Sequence, residues 1–247
     1  MKLTVIGPWG GYPKVNGASA GYLLEHNGFH LLVDCGSAVL SKLQQYIEPE
    51  HLDAAIISHY HPDHIADIGV LQHALIIGKY MNKEIRTLPI YGHNEDKAGF
   101  QSLFFDDVTK GMAYDEDQEL QIGPFTISFL RTKHPVPCFA MRIEADDQVF
   151  VFTADSSYMK SFVSFAQNAD ILLCESNFYG NMDGSGAGHM TSYDAGELAQ
   201  TAQVKQLVLT HLPQYGDLNQ LKQEAAEKYS GNIQLATEGL IIDLTKN

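Results

Sequence analysis

The segment His59-Tyr60-His61-Pro62-Asp63-His64 sets three imidazoles and one carboxylate within six positions. Imidazole nitrogen and carboxylate oxygen are the donors that zinc, manganese and iron accept, whereas a structural zinc site recruits thiolates at Cys-x-x-Cys spacing. The inventory is therefore that of a catalytic metal site. At this chain's His and Asp frequencies the pattern arises by chance on the order of once in a thousand such sequences. The apolar or small residues 54–58 lead straight into it, as a strand does when it ends in a functional loop.

Three further donors stand where strand-like runs end: His134 after 126–131, Asp155 after 149–153 and His211 after 206–210. With His59 these make four strand-to-loop junctions, the means by which segments distant in sequence bring donors to one place. The remaining strand-like runs cover 3–6, 21–25, 29–33, 54–58, 139–144 and 171–174, rich in β-branched and aromatic residues. Apolar periodicity predicts helices over 38–47, 64–80, 192–203 and 218–229, the last with Leu218, Leu221, Ala225 and Tyr229 on one face. Asn27-Gly28 and Asp146-Asp147 read as hairpin turns, and the acidic stretch 114–119 as a solvated loop. Runs of strands punctuated by helices describe a layered α/β domain, and with no linker in view the 247 residues read as one domain.

Composition narrows the setting. A 45% hydrophobic content supplies a substantial core. No apolar run approaches the roughly 18 residues that span a bilayer, and the stretch 3–6 reaches Gly7-Pro8 too soon for a signal peptide. The expected setting is the cytoplasm, without membrane attachment. Cys35, Cys138 and Cys174 show no paired spacing and read as small buried hydrophobes. A formal net charge of -14 argues against gripping a long nucleic acid by counterion release.

Asn16 to Tyr22, Leu32-Val33-Asp34-Cys35-Gly36, the HxHxDH cluster, His134, Thr153-Ala154-Asp155 and Leu209-Thr210-His211-Leu212 together resemble the metallo-β-lactamase superfamily, and within it the ribonuclease Z-like branch. The resemblance implies a four-layer αββα sandwich holding two divalent cations, zinc or else manganese. By position, His59, His61 and His134 would hold one cation and Asp63, His64 and His211 the other, with Asp155 bridging. A hydroxide shared by the two cations would attack the substrate, with Asp63 orienting it. The segment Gly188-His189-Met190-Thr191 resembles the His-Ser-Thr segment of that branch, so His189 is the candidate acid or electrostatic stabiliser. Met190 departs from the pattern. Glu175 would orient His189.

Relatives that mature tRNA carry a clamping arm between the positions matching His134 and Asp155, where only 20 residues stand here. Missing arm and acidic balance together favour a phosphodiesterase for a small nucleotide or sugar phosphodiester, cyclic forms included, over a tRNA 3′-processing endonuclease. Hydrolysis of a lactone, thioester or β-lactam is the alternative chemistry, and a non-catalytic sensing module the alternative role. A homodimer is expected by analogy. His26, His30, His51, His73 and His93 fall outside these motifs and read as structural or surface residues, and Gly180, Gly184, Gly186 and Gly188 as a flexible rim of the site.

Overall fold

In the computed structural model, which describes residues 1–244, the chain divides into two units: residues 1–115 with the segment from 238 onward, and residues 116–237. The first unit is organised by a hairpin. Asn27 and Gly28 both take positive φ, 49° and 78°, the geometry of a tight two-residue turn, and His26 pairs directly with Phe29. This joins β2 (Gly21–His26) to β3 (Phe29–Val33); the other strands are β1 (Lys2–Gly7), β4 (Ala54–Ile56), β5 (Leu88–His93), β6 (Thr109–Tyr114) and the late β14 (Ile241–Asp243). They form a seven-stranded sheet in the order β14-β1-β2-β3-β4-β5-β6. Pairing is antiparallel as far as β3 and parallel beyond it.

The second unit repeats that plan with β7 (Leu120–Ile122), β8 (Phe125–Arg131), β9 (Phe139–Ala145), β10 (Gln148–Phe152), β11 (Ile171–Glu175), β12 (Gln206–Thr210) and β13 (Asn232–Leu235). Its order is β13-β12-β11-β10-β9-β8-β7, antiparallel from β7 to β10 and parallel from β10 to β13. In each sheet the central strand, β3 or β10, is where the pairing changes sense.

Helices cover the first sheet through apolar stripes. Val39, Leu40 and Leu43 of α1 (Val39–Leu43) and Ile68, Leu71 and Leu75 of α3 (Ile68–Tyr80) pack with Leu23, Leu32, Ala55, Ile57 and Ile90 of the sheet and its edges. Each such side chain contributes about 1.5–3 kcal/mol when fully buried. The expected helix over 64–80 is interrupted: α2 (Pro62–Ile65) and α3 are separate, with Asp67 between them. Asp67 is diverted by tertiary partners, its Oδ2 accepting Leu40 N–H at 2.9 Å and its own N–H reaching Cys35 O at 3.1 Å. A short helix α4 (Lys97–Gln101) follows β5. In the second unit α5 (Ser161–Phe165) precedes β11, while α6 (Ser192–Thr201) and α7 (Leu218–Ala226) pack against each other, with Leu221 and Ala225 buried as the predicted face requires.

Strands β5, β6, β7, β13 and β14 are not among the runs predicted from sequence. Pro89 and Gly92 break the apolar pattern of β5, and Gly111 that of β6, where a Cβ would stand 2.5 Å from the Phe104 ring. The other three are short. All three cysteines are buried and free, as expected, and burial pushes the thiols of Cys35 and Cys174 up. Among the described residues no helix is long and apolar enough to cross a membrane.

Gly36 marks a close approach in the first unit: a Cβ there would lie 1.8 Å from Asp63 O and 2.9 Å from Ser19 Cβ. The strands of chain on either side are laced by Cys35 N–H to His64 O at 2.7 Å and Gly36 N–H to Ala20 O at 3.0 Å. Because backbone rather than a flexible side chain fills the space, Gly36→Ala should destabilise the protein by about 3 kcal/mol. Urea unfolding reads this as a lowered midpoint at unchanged slope, and an unchanged midpoint would refute the packing argument.

Candidate metal centre

In the first unit β4 delivers Ser58 and His59 into a tight turn, and His61 is the residue before Pro62, which opens α2. Proline suits that first helical position because its missing N–H would have no helical partner. Asp34, directly after β3, organises the cluster. It is fully buried and accepts Ser58 N–H at 2.7 Å, Ser58 Oγ–H at 2.8 Å and His64 Nδ1–H at 2.8 Å. With Nδ1 occupied, His64 turns Nε2 toward Asp63, whose Oδ2 lies 3.4 Å away. His59 behaves alike: Nδ1 meets Ser58 Oγ at 3.1 Å, and Nε2 stands 3.1 Å from His61 Nδ1. Asp63 Oδ2 also takes the Gly11 N–H at 2.6 Å.

Tyr60, between the first two histidines, is an anchor. Its hydroxyl donates to His93 O at 2.6 Å, and its ring occupies the space where Cβ atoms on Gly92 and Gly99 would sit. Burial pushes its phenol up. His93 packs 4.7 Å from that ring, the structural role expected of it.

The second unit holds the other candidates at the ends of its strands. His134 follows β8, Asp155 follows β10, Glu175 ends β11 and His211 follows β12. His134 Nδ1 donates to Gly188 O at 3.1 Å, leaving Nε2 to face Asp155 Oδ2 at 3.9 Å. His211 Nε2 lies 3.3 Å from the same oxygen. Ala154 and His211 hold φ of 50° and 51°, as Asp34 holds 56° in the first unit. Left-handed backbone costs a non-glycine residue on the order of 1 kcal/mol, and its recurrence beside donors marks positions held by their surroundings.

His189 lies between β11 and α6. Its Nδ1 donates to Glu175 Oε1 at 2.8 Å, while Glu175 also accepts Ser156 N–H at 2.9 Å and Asn177 N–H at 3.3 Å. Three donors thus converge on one fully buried carboxylate. The His189 ring stacks on His211 at 5.2 Å and stands edge-on to His134 at 5.3 Å. Thr191 and Asp194 close a capping box at the start of α6, and Met190, the departure from the expected motif, is fully buried. Two of the loop's glycines allow close approach: a Cβ on Gly184 would meet Phe178 at 2.7 Å and His189 O at 2.8 Å, and one on Gly188, at φ 80°, would meet His134 Nδ1 at 2.9 Å, whereas Gly186 has open space around it.

Two residues in this network were not assigned by sequence. Asp34 lies in the Leu32–Gly36 segment, to which the resemblance assigns no role. Glu224 reads as a solvent-face residue of an amphipathic helix, yet it is buried and accepts from Gly180 N–H at 2.8 Å, from Gln220 at 2.8 Å and from the Ser192 hydroxyl. It pins both ends of the segment that carries His189.

The donor set fits a divalent metal. His59, His64 and His134 each commit one ring nitrogen to a protein group and direct the other at neighbouring donors, the usual way a protein fixes the tautomer of a ligating imidazole. Such His and Asp clusters are able to hold metal. Residues 30–212 match the family described as the beta-lactamase superfamily domain. The chain belongs to the metallo-β-lactamase superfamily of metal-dependent hydrolases.

Within this superfamily the chain is 52% identical over 241 residues to the probable metallo-hydrolase YhfI of Bacillus subtilis, spanning 98% of this chain and 99% of that protein. The crystal structure of YhfI, described as a metallo-β-lactamase fold protein, matches with a TM-score of 0.97 over 98% of both chains. Human tRNase Z, short form, shares the fold at TM-score 0.76 and 19% identity over 99% of both chains. A diphosphatase of the PhnP family matches at TM-score 0.76 and 16% identity, over 98% of this chain and 97% of that one. The fold is thus the α/β sandwich of two mixed sheets with flanking helices that the sequence resemblance implied.

Asp34→Asn tests the arrangement. It keeps an acceptor for Ser58 but removes the charge that fixes the His64 tautomer. Divalent-cation affinity should fall about 10- to 100-fold, as read by chelator competition. Wild-type affinity in a folded variant would show that Asp34 does not orient the ligand.

Proposed function

We propose that the chain is a dinuclear phosphodiesterase acting on a small nucleotide or sugar phosphodiester, cyclic forms included, with both units working as one hydrolase domain. In this reading His59, His61 and His134 would hold one divalent cation and Asp63, His64 and His211 the other, with Asp155 shared. Five imidazoles and two carboxylates suit zinc, with manganese the next choice. When bound, such a pair supplies the Lewis acidity that activates water and polarises a phosphoryl group. Asp63 would orient the attacking hydroxide.

The observation that carries the phosphodiesterase reading is the His189–Glu175 pair at 2.8 Å. Glu175 occupies Nδ1, so Nε2 is the atom that exchanges a proton, in a ring stacked against His211 yet outside the seven donors. A departing alkoxide needs a proton, and a histidine so held delivers it at neutral pH. The diphosphatase among the structural neighbours is consistent with phosphoryl chemistry on this fold.

Substrate size follows from what lies between His134 and Asp155. Strands β9 and β10 and their two-residue turn occupy most of that interval, which leaves no arm to embrace a tRNA. The net charge of -14 supplies no compensating basic surface. A cation pair still attracts a single phosphate locally, since bound cations dominate the nearby field.

Elemental analysis after metal-replete purification should show about two divalent ions per chain, and Asp155→Ala should weaken both. A folded chain with no metal would end this reading, and full retention by the variant would remove Asp155 from the bridge. His189→Ala should lower turnover of bis-p-nitrophenyl phosphate about 10²- to 10⁴-fold with metal content unchanged. Loss of metal, or unchanged turnover, would refute its assignment. Small cyclic or bis-aryl phosphodiesters should be cleaved while a 3′-extended precursor tRNA is not, under the same metal and salt. Efficient tRNA cleavage would overturn the size argument.

A further inference from the structure

Beside His189 the second unit forms an open pocket of about 380 Å³ whose walls include Lys133, Tyr158, Asp183 and Tyr193. That volume lies in the range of pockets that take small ligands. Tyr193 is a fixed wall. Its hydroxyl donates to Glu227 at 3.0 Å, Lys228 Nζ sits 5.1 Å from its ring centroid, and Gly180 leaves room for the ring where a Cβ would approach to 2.3 Å. Tyr158 is half-buried with no hydrogen-bond partner for its hydroxyl among the described residues. Burial, then the nearby Glu197 and Asp194 carboxylates, push its phenol up, so it stays a neutral donor.

The polar groups are equally specific. In a chain with 30 acidic and 16 basic residues, the Lys133 ammonium lines this cavity with no carboxylate partner among the described residues. Lys133 is also the residue before His134 and is fixed at its backbone, its N–H reaching Ser156 Oγ at 3.1 Å and its carbonyl accepting Ser157 N–H at 3.0 Å. Asp183 lines the same cavity, its Oδ1 accepting Ser185 N–H at 2.9 Å.

We propose that this cavity binds the nucleoside portion of the substrate, with Tyr158 and Tyr193 against the base, Asp183 on a ribose hydroxyl and Lys133 on the phosphate. The proposal rests on the phosphodiesterase reading for the reacting end and narrows its substrate class from nucleotide or sugar phosphate to nucleotide. Aromatic walls accept the flat π-face of any base, and a carboxylate is the usual partner of a ribose hydroxyl. A pentose phosphate alone would leave the tyrosine walls without a partner.

The test is calorimetric titration of the metal-loaded protein with AMP and with ribose 5-phosphate, which share the phosphate and sugar and differ in the base. Wild type should bind AMP at least about 10-fold more tightly, the effect of one good stacking contact. Tyr158→Leu should bring the two ligands within about 2-fold of each other, while Tyr158→Phe, which keeps the ring, should retain the preference. Lys133→Ala should weaken both ligands about equally, by about 10-fold. Equal affinities in wild type, a preference that survives Tyr158→Leu, or Lys133→Ala binding like wild type would each overturn the assignment. Turnover of bis-p-nitrophenyl phosphate in the same preparation separates the two readings. A base preference without turnover refutes the phosphodiesterase reading and leaves the pocket, and turnover without a preference refutes the pocket alone.

Discussion

A carboxylate taken out of water must be met by donors, and in the first unit this single requirement arranges the metal-binding residues. Desolvating an ion costs several kcal/mol after relaxation, so Asp34, fully buried at the end of β3, is viable only because the Ser58 backbone, the Ser58 hydroxyl and His64 Nδ1 converge on it. Those partners come from the turn after β4 and from α2. Satisfying one charge therefore ties three segments together and selects the tautomer that aims His64 Nε2 at Asp63. The close fit at Gly36 is the steric side of the same knot.

The second unit applies the same physics twice. Glu175 gathers Ser156 N–H, Asn177 N–H and His189 Nδ1–H, and Glu224 gathers Gly180 N–H, the Ser192 hydroxyl and Gln220. One carboxylate aims the histidine, and the other pins the segment that carries it. Removing either would leave a buried polar group or loop end unsatisfied, which costs more than the net gain of an ordinary hydrogen bond. The segment 180–191 is consequently long yet held, with glycines where Tyr193, Phe178 and His134 come too close for a side chain.

Three of the eleven non-glycine residues at positive φ among the described residues belong to the donor clusters. Asp34, Ala154 and His211 occupy left-handed conformations at or next to strand ends in the donor clusters, and each is over-determined by hydrogen bonds and packing around it. Both sheets change from antiparallel to parallel pairing at the strand whose end carries a buried carboxylate, β3 with Asp34 and β10 with Asp155.

How much of this was legible beforehand depended on range. Donor types, their order along the chain, their placement after apolar runs and the Asn27-Gly28 turn are properties of short segments, and residue chemistry with hydrophobic periodicity reads them. The resemblance of those motifs extended the reading to the fold. Strands β5 and β6 escaped because Pro89, Gly92 and Gly111 look like breakers until the Tyr60 and Phe104 rings that fill the space beside the glycines are in place. The break before α3 escaped because Asp67 is helical by pattern and is diverted by Leu40 and Cys35. Partnership lay wholly outside the sequence: Asp34 meets Ser58 across 24 positions and Glu224 meets Gly180 across 44. Periodicity tells which face of an element is buried, but which donor answers a buried carboxylate is decided only when distant segments are brought within three ångströms.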